Sequence, residues 1–254
     1  MIDSHVHADT RPIEDFDLMA VSGVEEAVTC AHDPLEALSS DVILAHLRRL
    51  LMVEPGRASR GGLKLHIALG IHPRAIPPDY GRVLEELTEL LKNPSVVAMG
   101  EIGLDSGSEI EKKVFIEQMQ MADELGFPVI VHTPRTGKPE VTPLIIDLIG
   151  ENIDESRAVV EHVNMDVLPD LIETECILGL TVQPEKLTPT EAVDILREYG
   201  TERFVLNSDM SSAPSDPLSV PRTVHRMRMD GFGRREIMRV SRDNIRDVLK
   251  IKQT

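Results

Sequence analysis

The sequence predicts a single (β/α)8 TIM barrel with closing C-terminal helices, one domain spanning residues 1–254. Three observations carry this expectation. Eight short apolar runs of β-forming residues alternate with amphipathic runs, the pattern of right-handed βαβ crossovers and a parallel sheet. The length suits one large domain, since α/β barrels commonly run to about 250 residues. No strand is followed by G-x-G-x-x-G or G-x-x-x-x-G-K-[ST], the signatures of the rival doubly wound sheet.

In chain order, strands are expected at 1–7, 24–31, 64–72, 96–102, 128–132, 157–163, 176–182 and 203–209. One short helix fits between the first two. Further helices are expected near 35–52, 79–92, 109–126, 140–150, 165–175 and 188–200, with two more near 216–230 and 233–250 closing the chain. Val141, Leu144, Ile145 and Leu148 fall on one helical stripe, as do Phe115, Met119 and Ala122. Gly126-Phe127-Pro128 is a helix stop leading into a strand. Thr188 and Glu191 have the spacing of a capping box.

Composition narrows the function classes. Apolar residues make up 41% and charged residues 28%, a globular balance that excludes disorder, collagen-like repeats and coiled coils. No apolar run approaches the about 18 residues of a membrane span, and no basic, then apolar leader opens the chain. With two cysteines, Cys30 and Cys176, expected at opposite ends of the barrel, a cytoplasmic location is the expectation. The net charge of −16 and the absence of Trp work against a polynucleotide surface. From Arg222 to Lys252, however, ten basic residues face four acidic ones. That tail reads as a solvated helix face or as a patch for an anionic partner.

Barrel chemistry sits at the carboxyl ends of the strands. There the sequence places His5 and His7, Glu101, His132, His162 and Asp209. Residues i and i+2 of a strand share a face, so His5 and His7 can aim at one ion. Imidazole and carboxylate suit Zn²⁺ first, with Mg²⁺, Mn²⁺ or Ni²⁺ as alternatives. Six ligands exceed the needs of one tetrahedral ion and point to two divalent metal ions about 3.5–4 Å apart, bridged by Glu101.

These residues also carry a resemblance. MIDSHVH at the start, LGIHPR at 69–74, MGEIGLD at 99–105, and His132, His162 and Asp209 at strand ends resemble the TatD-type metal-dependent hydrolases of the amidohydrolase superfamily. SRDNIRDVLKI at 241–251 resembles the family's last helix. The resemblance covers nearly the whole chain. It implies a two-metal hydrolase in which His5, His7, Glu101 and Asp209 hold one cation, and Glu101, His132 and His162 the other. Four features depart from the family's pattern. Asn207-Ser208-Asp209 stands where Glu-Thr-Asp is usual, and Glu161-His162-Val163 where His-Cys-Phe is frequent. Thr133-Pro134-Arg135 shifts an arginine by one position, and Ser106-Gly107 replaces an aromatic pair.

Asp209 is the expected proton acceptor of the water and Glu101 the expected bridge, which makes these the catalytic pair. His72, Arg74 and Arg135 are candidate substrate contacts, each with a structural or surface reading beside it. Asp105 is expected to orient a ligand histidine. His32, after the second strand, could reach the mouth but reads more simply as a loop residue; His46, His66 and His225 read as packing or surface. The leading function is phosphodiester hydrolysis, including DNA as in TatD-like deoxyribonucleases. A small-molecule amidohydrolase, esterase or lactonase with the same metals is the alternative, and a non-catalytic metal-retaining binding barrel the third. The expected substrate is a small anionic ester or a single-stranded DNA end; neither a membrane nor an obligate protein partner is legible.

Overall fold

The structure, a computed structural model, describes residues 1–32 and 38–252. Its eight strands are β1 (Ile2–Val6), β2 (Glu26–Cys30), β3 (Lys64–Leu69), β4 (Val96–Gly103), β5 (Val129–His132), β6 (Ala158–Val160), β7 (Ile177–Thr181) and β8 (Phe204–Asn207). They pair in parallel in sequence order, β1 to β8. The sheet then returns on itself. Val6 bridges Met210 in parallel, His7 N–H donates to Met210 O at 2.7 Å, and Asp209 N–H donates to His5 O at 2.9 Å. This is the expected TIM barrel.

Alternation along the strands divides the apolar residues into two layers. Ile2, Val28, Ala68, Ala98, Ile130, Val159 and Val205 pack together in the interior, and Ile245, Leu249 and Ile251 join them from the end of the chain. The C-terminal segment thus plugs the barrel opposite the strand ends. The other strand faces, with Leu69, Met99, Val131, Val160, Leu180 and Leu206, pack against the surrounding helices.

Those helices are α1 (Ile13–Val21), α2 (Ser40–Met52), α3 (Glu54–Arg60), α4 (Tyr80–Leu90), α5 (Glu109–Leu125), α6 (Lys138–Asn152), α7 (Leu168–Leu171), α8 (Pro189–Tyr199), α9 (Ser219–Met229), α10 (Arg234–Met238) and α11 (Asn244–Val248). Gly126 ends α5 in the left-handed conformation, and Thr188 and Glu191 form the capping box of α8. The buried stripe of α6 runs through Thr142, Ile145, Leu148 and Ile149, so Val141 and Leu144 lie at its margin.

Several boundaries differ from the sequence expectation. The helix expected from 35 begins at Ser40; positions 35–37 lie outside the described residues. The helix expected over 165–175 is a single turn, and that over 233–250 is divided by a π-helical segment, Arg239–Asp243. β3, β6 and β8 are shorter than expected, so His72, His162 and Asp209 follow the strands in loops. Among the described residues, no helix is long and apolar enough to cross a membrane.

Candidate metal centre

The barrel mouth gathers all six expected ligands. Glu101, on β4, is at the centre and almost wholly buried. Its Oε2 is 3.5 Å from His5 Nε2 and 3.9 Å from His7 Nε2. Its Oε1 is 2.8 Å from His132 Nδ1 and 3.2 Å from His162 Nε2. Asp209 Oδ1 completes the first group, 3.1 Å from His7 Nε2 and 3.9 Å from His5 Nε2.

The 3.5 and 3.9 Å spacings about His5 suit a cation between the donors, whereas His132 Nδ1 and His162 Nε2 are within hydrogen-bond distance of Glu101 Oε1. Two donors on a tetrahedral ion at about 2.1 Å stand about 3.4 Å apart, longer than an ordinary hydrogen bond. Both ring nitrogens of His5 are buried without a hydrogen-bond partner. A buried polar atom left in that state is costly unless something else binds it. His162 and Asp209 also have left-handed backbones, at φ 60° and 44°. Such conformations cost about 1–3 kcal/mol in a non-glycine residue and cluster where a side chain must be aimed.

The charges are mutually adjusted. Burial works to raise the Glu101 carboxyl, but His5 and His132 outweigh it and hold the group well below its usual range. For Asp209, too, burial is overcome, here by Lys186 and His7, and the carboxyl stays ionised. Burial drives the imidazoles of His72 and His162 well below their usual value, helped by His132 and Lys186 respectively. Burial works to lower His5 and His132 too, but Glu101, with Cys30 beside His5, holds both above their usual value, so each would give up a proton on ligating a metal, which binds neutral imidazole and ionised carboxylate.

Around the ligands, Asp105 Oδ1 is 3.1 Å from His132 Nε2, the position of an orienting carboxylate. The Asp105 loop is itself organised by Glu111, which accepts from the backbone N–H of Asp105, Ser106 and Gly107 at 2.8–2.9 Å. Buried His72 is inside the cluster, its Nε2 3.7 Å from Glu101 Oε2 and its ring against that of His132. Arg74 is at the rim, 4.0 Å from Asp105. Arg135 is exposed.

Two lysines that sequence reasoning did not single out reach the mouth. Lys186 Nζ donates to Asp209 Oδ2 at 2.5 Å and is 3.3 Å from His162 Nδ1. Lys138, at the start of α6, bonds Thr133 Oγ1 and donates to His162 O at 2.7 Å. Burial, with Lys186 nearby, brings its ammonium down to about 7. Neither lysine ends a strand, so strand-end reasoning could not reach them. Asp9, His32 and His46 form a further cluster beside His7. Its local signals are the spacing His7-Ala8-Asp9 and the place of His32 just past β2. His66, by contrast, is buried against Glu26, and His225 is on the surface of α9. Cys30 and Cys176 are free and buried.

Comparison with known proteins agrees with this architecture. The family described as TatD related DNase matches residues 2–250. The uncharacterized metal-dependent hydrolase MJ0761 of Methanocaldococcus jannaschii is 38% identical over 240 residues, covering 94% of this chain and 95% of that protein. The 3'-5' ssDNA/RNA exonuclease TatD of Escherichia fergusonii is 37% identical, but over 68 residues, about a quarter of each chain. Among solved structures, the TatD-like protein AF1765 of Archaeoglobus fulgidus superposes with a TM-score of 0.85 at 30% identity, covering 99% of this chain and all of that one. With the match running almost end to end, the chain belongs to the TatD related DNase family.

Proposed function

We propose that this TatD-family metal-dependent hydrolase cleaves phosphoric esters, phosphodiesters foremost, with two divalent cations held by His5, His7, Glu101, His132, His162 and Asp209. The observation that carries the reading is the division of Glu101. One carboxylate oxygen faces His5 and His7, the other His132 and His162. The imidazole-rich donors favour Zn²⁺, with Mg²⁺, Mn²⁺ or Ni²⁺ able to use the same set. Bound there, two such cations would polarise the ester and bring a water toward a neutral pKa.

The protein's own groups have separate tasks. Asp209 Oδ1 faces His7 and Oδ2 accepts from Lys186 Nζ; with Lys186 drawn to an entering anionic ester, Oδ2 can take a proton from the attacking water and pass it to the leaving group. Lys186 and Arg74 supply positive charge where an anionic ester would enter. Asp105 holds the His132 ring. The chain's −16 charge disfavours a long polynucleotide, so the fitting substrate is a small anionic ester or the end of a single strand.

Metal-loaded protein should release nitrophenol from bis-p-nitrophenyl phosphate, and chelator should abolish the release. Release from p-nitrophenyl acetate alone would instead support a carboxylic-ester or amide hydrolase, and single-stranded DNA tests the nuclease. Asp209→Asn should lower turnover about 10²–10⁴-fold, the usual contribution of a general acid–base group, while retaining part of the metal. Near wild-type turnover in that variant would refute the role of Asp209.

A further inference from the structure

Asp9, in the turn after β1, His32, after β2, and His46, within α2, come from three separate elements. Their ligand atoms all lie within 4.8 Å of one another. We propose that these three residues form an additional site for a divalent transition-metal cation, beside the dinuclear cluster and distinct from it.

The spacing is the first argument. Asp9 Oδ1 and Oδ2 are 3.1 and 3.2 Å from His32 Nε2, within hydrogen-bond reach, and Oδ2 is 3.6 Å from His46 Nδ1, near the about 3.4 Å expected between two donors on a tetrahedral cation. At 3.6 Å the second contact is too long for a hydrogen bond. The donor set is the second argument. Two imidazoles and one carboxylate suit Zn²⁺, Co²⁺ or Fe²⁺ and leave positions open for water or substrate. Burial and the neighbouring His32 keep His46 neutral, with its pKa down to about 3.

A hydrogen-bonded relay is the competing account. The backbone N–H of His32 donates to His46 Nε2 at 3.3 Å, which would place the imidazole proton on Nδ1. A cation on Nδ1 moves that proton to Nε2 and gives up this one long contact. His32 packs edgewise at 4.7 Å on His46 and, at the same separation, on His7. One imidazole, His7, therefore separates the new site from the first metal group.

The test is metal stoichiometry, and it does not depend on activity. Chelator-stripped full-length protein is titrated with Co²⁺, following visible absorption and, after dialysis, bound metal by elemental analysis. Wild type should take up one equivalent more than His32→Ala, and the same difference should separate it from His46→Gln. His32 is the primary variant because it is only partly buried in a loop, and a thermal melt checks that each variant is folded. The difference of one equivalent should persist in a His132→Ala background, so failure of the dinuclear reading would not erase it. Equal uptake by wild type and folded His32→Ala protein would overturn the site in favour of the relay.

Discussion

At the scale of single residues, the family's pattern has a carboxylate where this chain has Asn207, and the structure supplies one from the opposite side. Glu161, just past β6, is completely buried, as is Asn207. Asn207 Nδ2 donates to Glu161 Oε2 at 2.7 Å, while Glu161 Oε1 is 3.5 Å from His5 Nδ1. At that distance the two atoms do not hydrogen-bond, but the Glu161 carboxyl lies on the Nδ1 side of the His5 ring, whose Nε2 faces Glu101 and Asp209. Gly179 makes this possible, because a Cβ there would come within 1.8 Å of Glu161 Oε2. Glu161→Leu should weaken cation binding about 10–100-fold, the usual effect of losing an orienting partner, as measured by competition with a chromophoric chelator. Unchanged affinity would mean that His5 is positioned without it. The six residues proposed as ligands could be picked out in the sequence because each lies at or just beyond a strand end, where barrel topology forces convergence. Glu161, Lys186 and His46 could not, because each acquires its meaning from a partner on another element.

At the scale of elements, local signals were legible wherever one residue type had one evident role. Thr188 both accepts from Glu191 N–H at 3.2 Å and donates to Glu191 Oε2 at 2.8 Å, as its spacing implied. Thr188→Ala should cost about 1 kcal/mol, seen as a lower urea midpoint with an unchanged slope. A shift of under a few tenths of a kcal/mol would show that the cap contributes little. The last helix shows the opposite case. Its apolar spacing reads as continuous over 233–250, yet Arg239–Asp243 widens into a π-turn. Ser241 Oγ bonds back to Ile237 O at 2.7 Å, and Asn244 Nδ2 reaches Thr201 O and Phe204 O at 2.8 and 2.7 Å. Those carbonyls belong to the approach and start of β8, so a tertiary contact accompanies the irregularity, and periodicity within the segment carries no trace of it.

At the scale of the whole molecule, the basic tail finds its place at the plugged end of the barrel. Arg246 pairs with Glu26, Arg239 with Glu202 and Arg222 with Asp216, three acids outside the tail. Much of the charge asymmetry in the sequence is thus met by acids of the same chain. The first and last strands meet through Asp209 N–H on His5 O, His7 N–H on Met210 O, and Asp3, which accepts from Ser208 N–H at 3.0 Å. His5, His7 and Asp209 are also ligand candidates. A cation gripped by them would therefore act as a clasp between the two margins of the sheet, residues some two hundred positions apart. Metal uptake and ring closure would then be linked, since a ligand bound only by the closed form stabilises it by an amount that grows with the logarithm of concentration over Kd. Amide exchange at His7 and Asp209 should slow on loading by more than exchange at Ile130, on β5 across the ring; equal slowing everywhere would argue for a general tightening. A fastening of this kind would let the cell's supply of divalent ions set not only the chemistry but the lifetime of the folded chain.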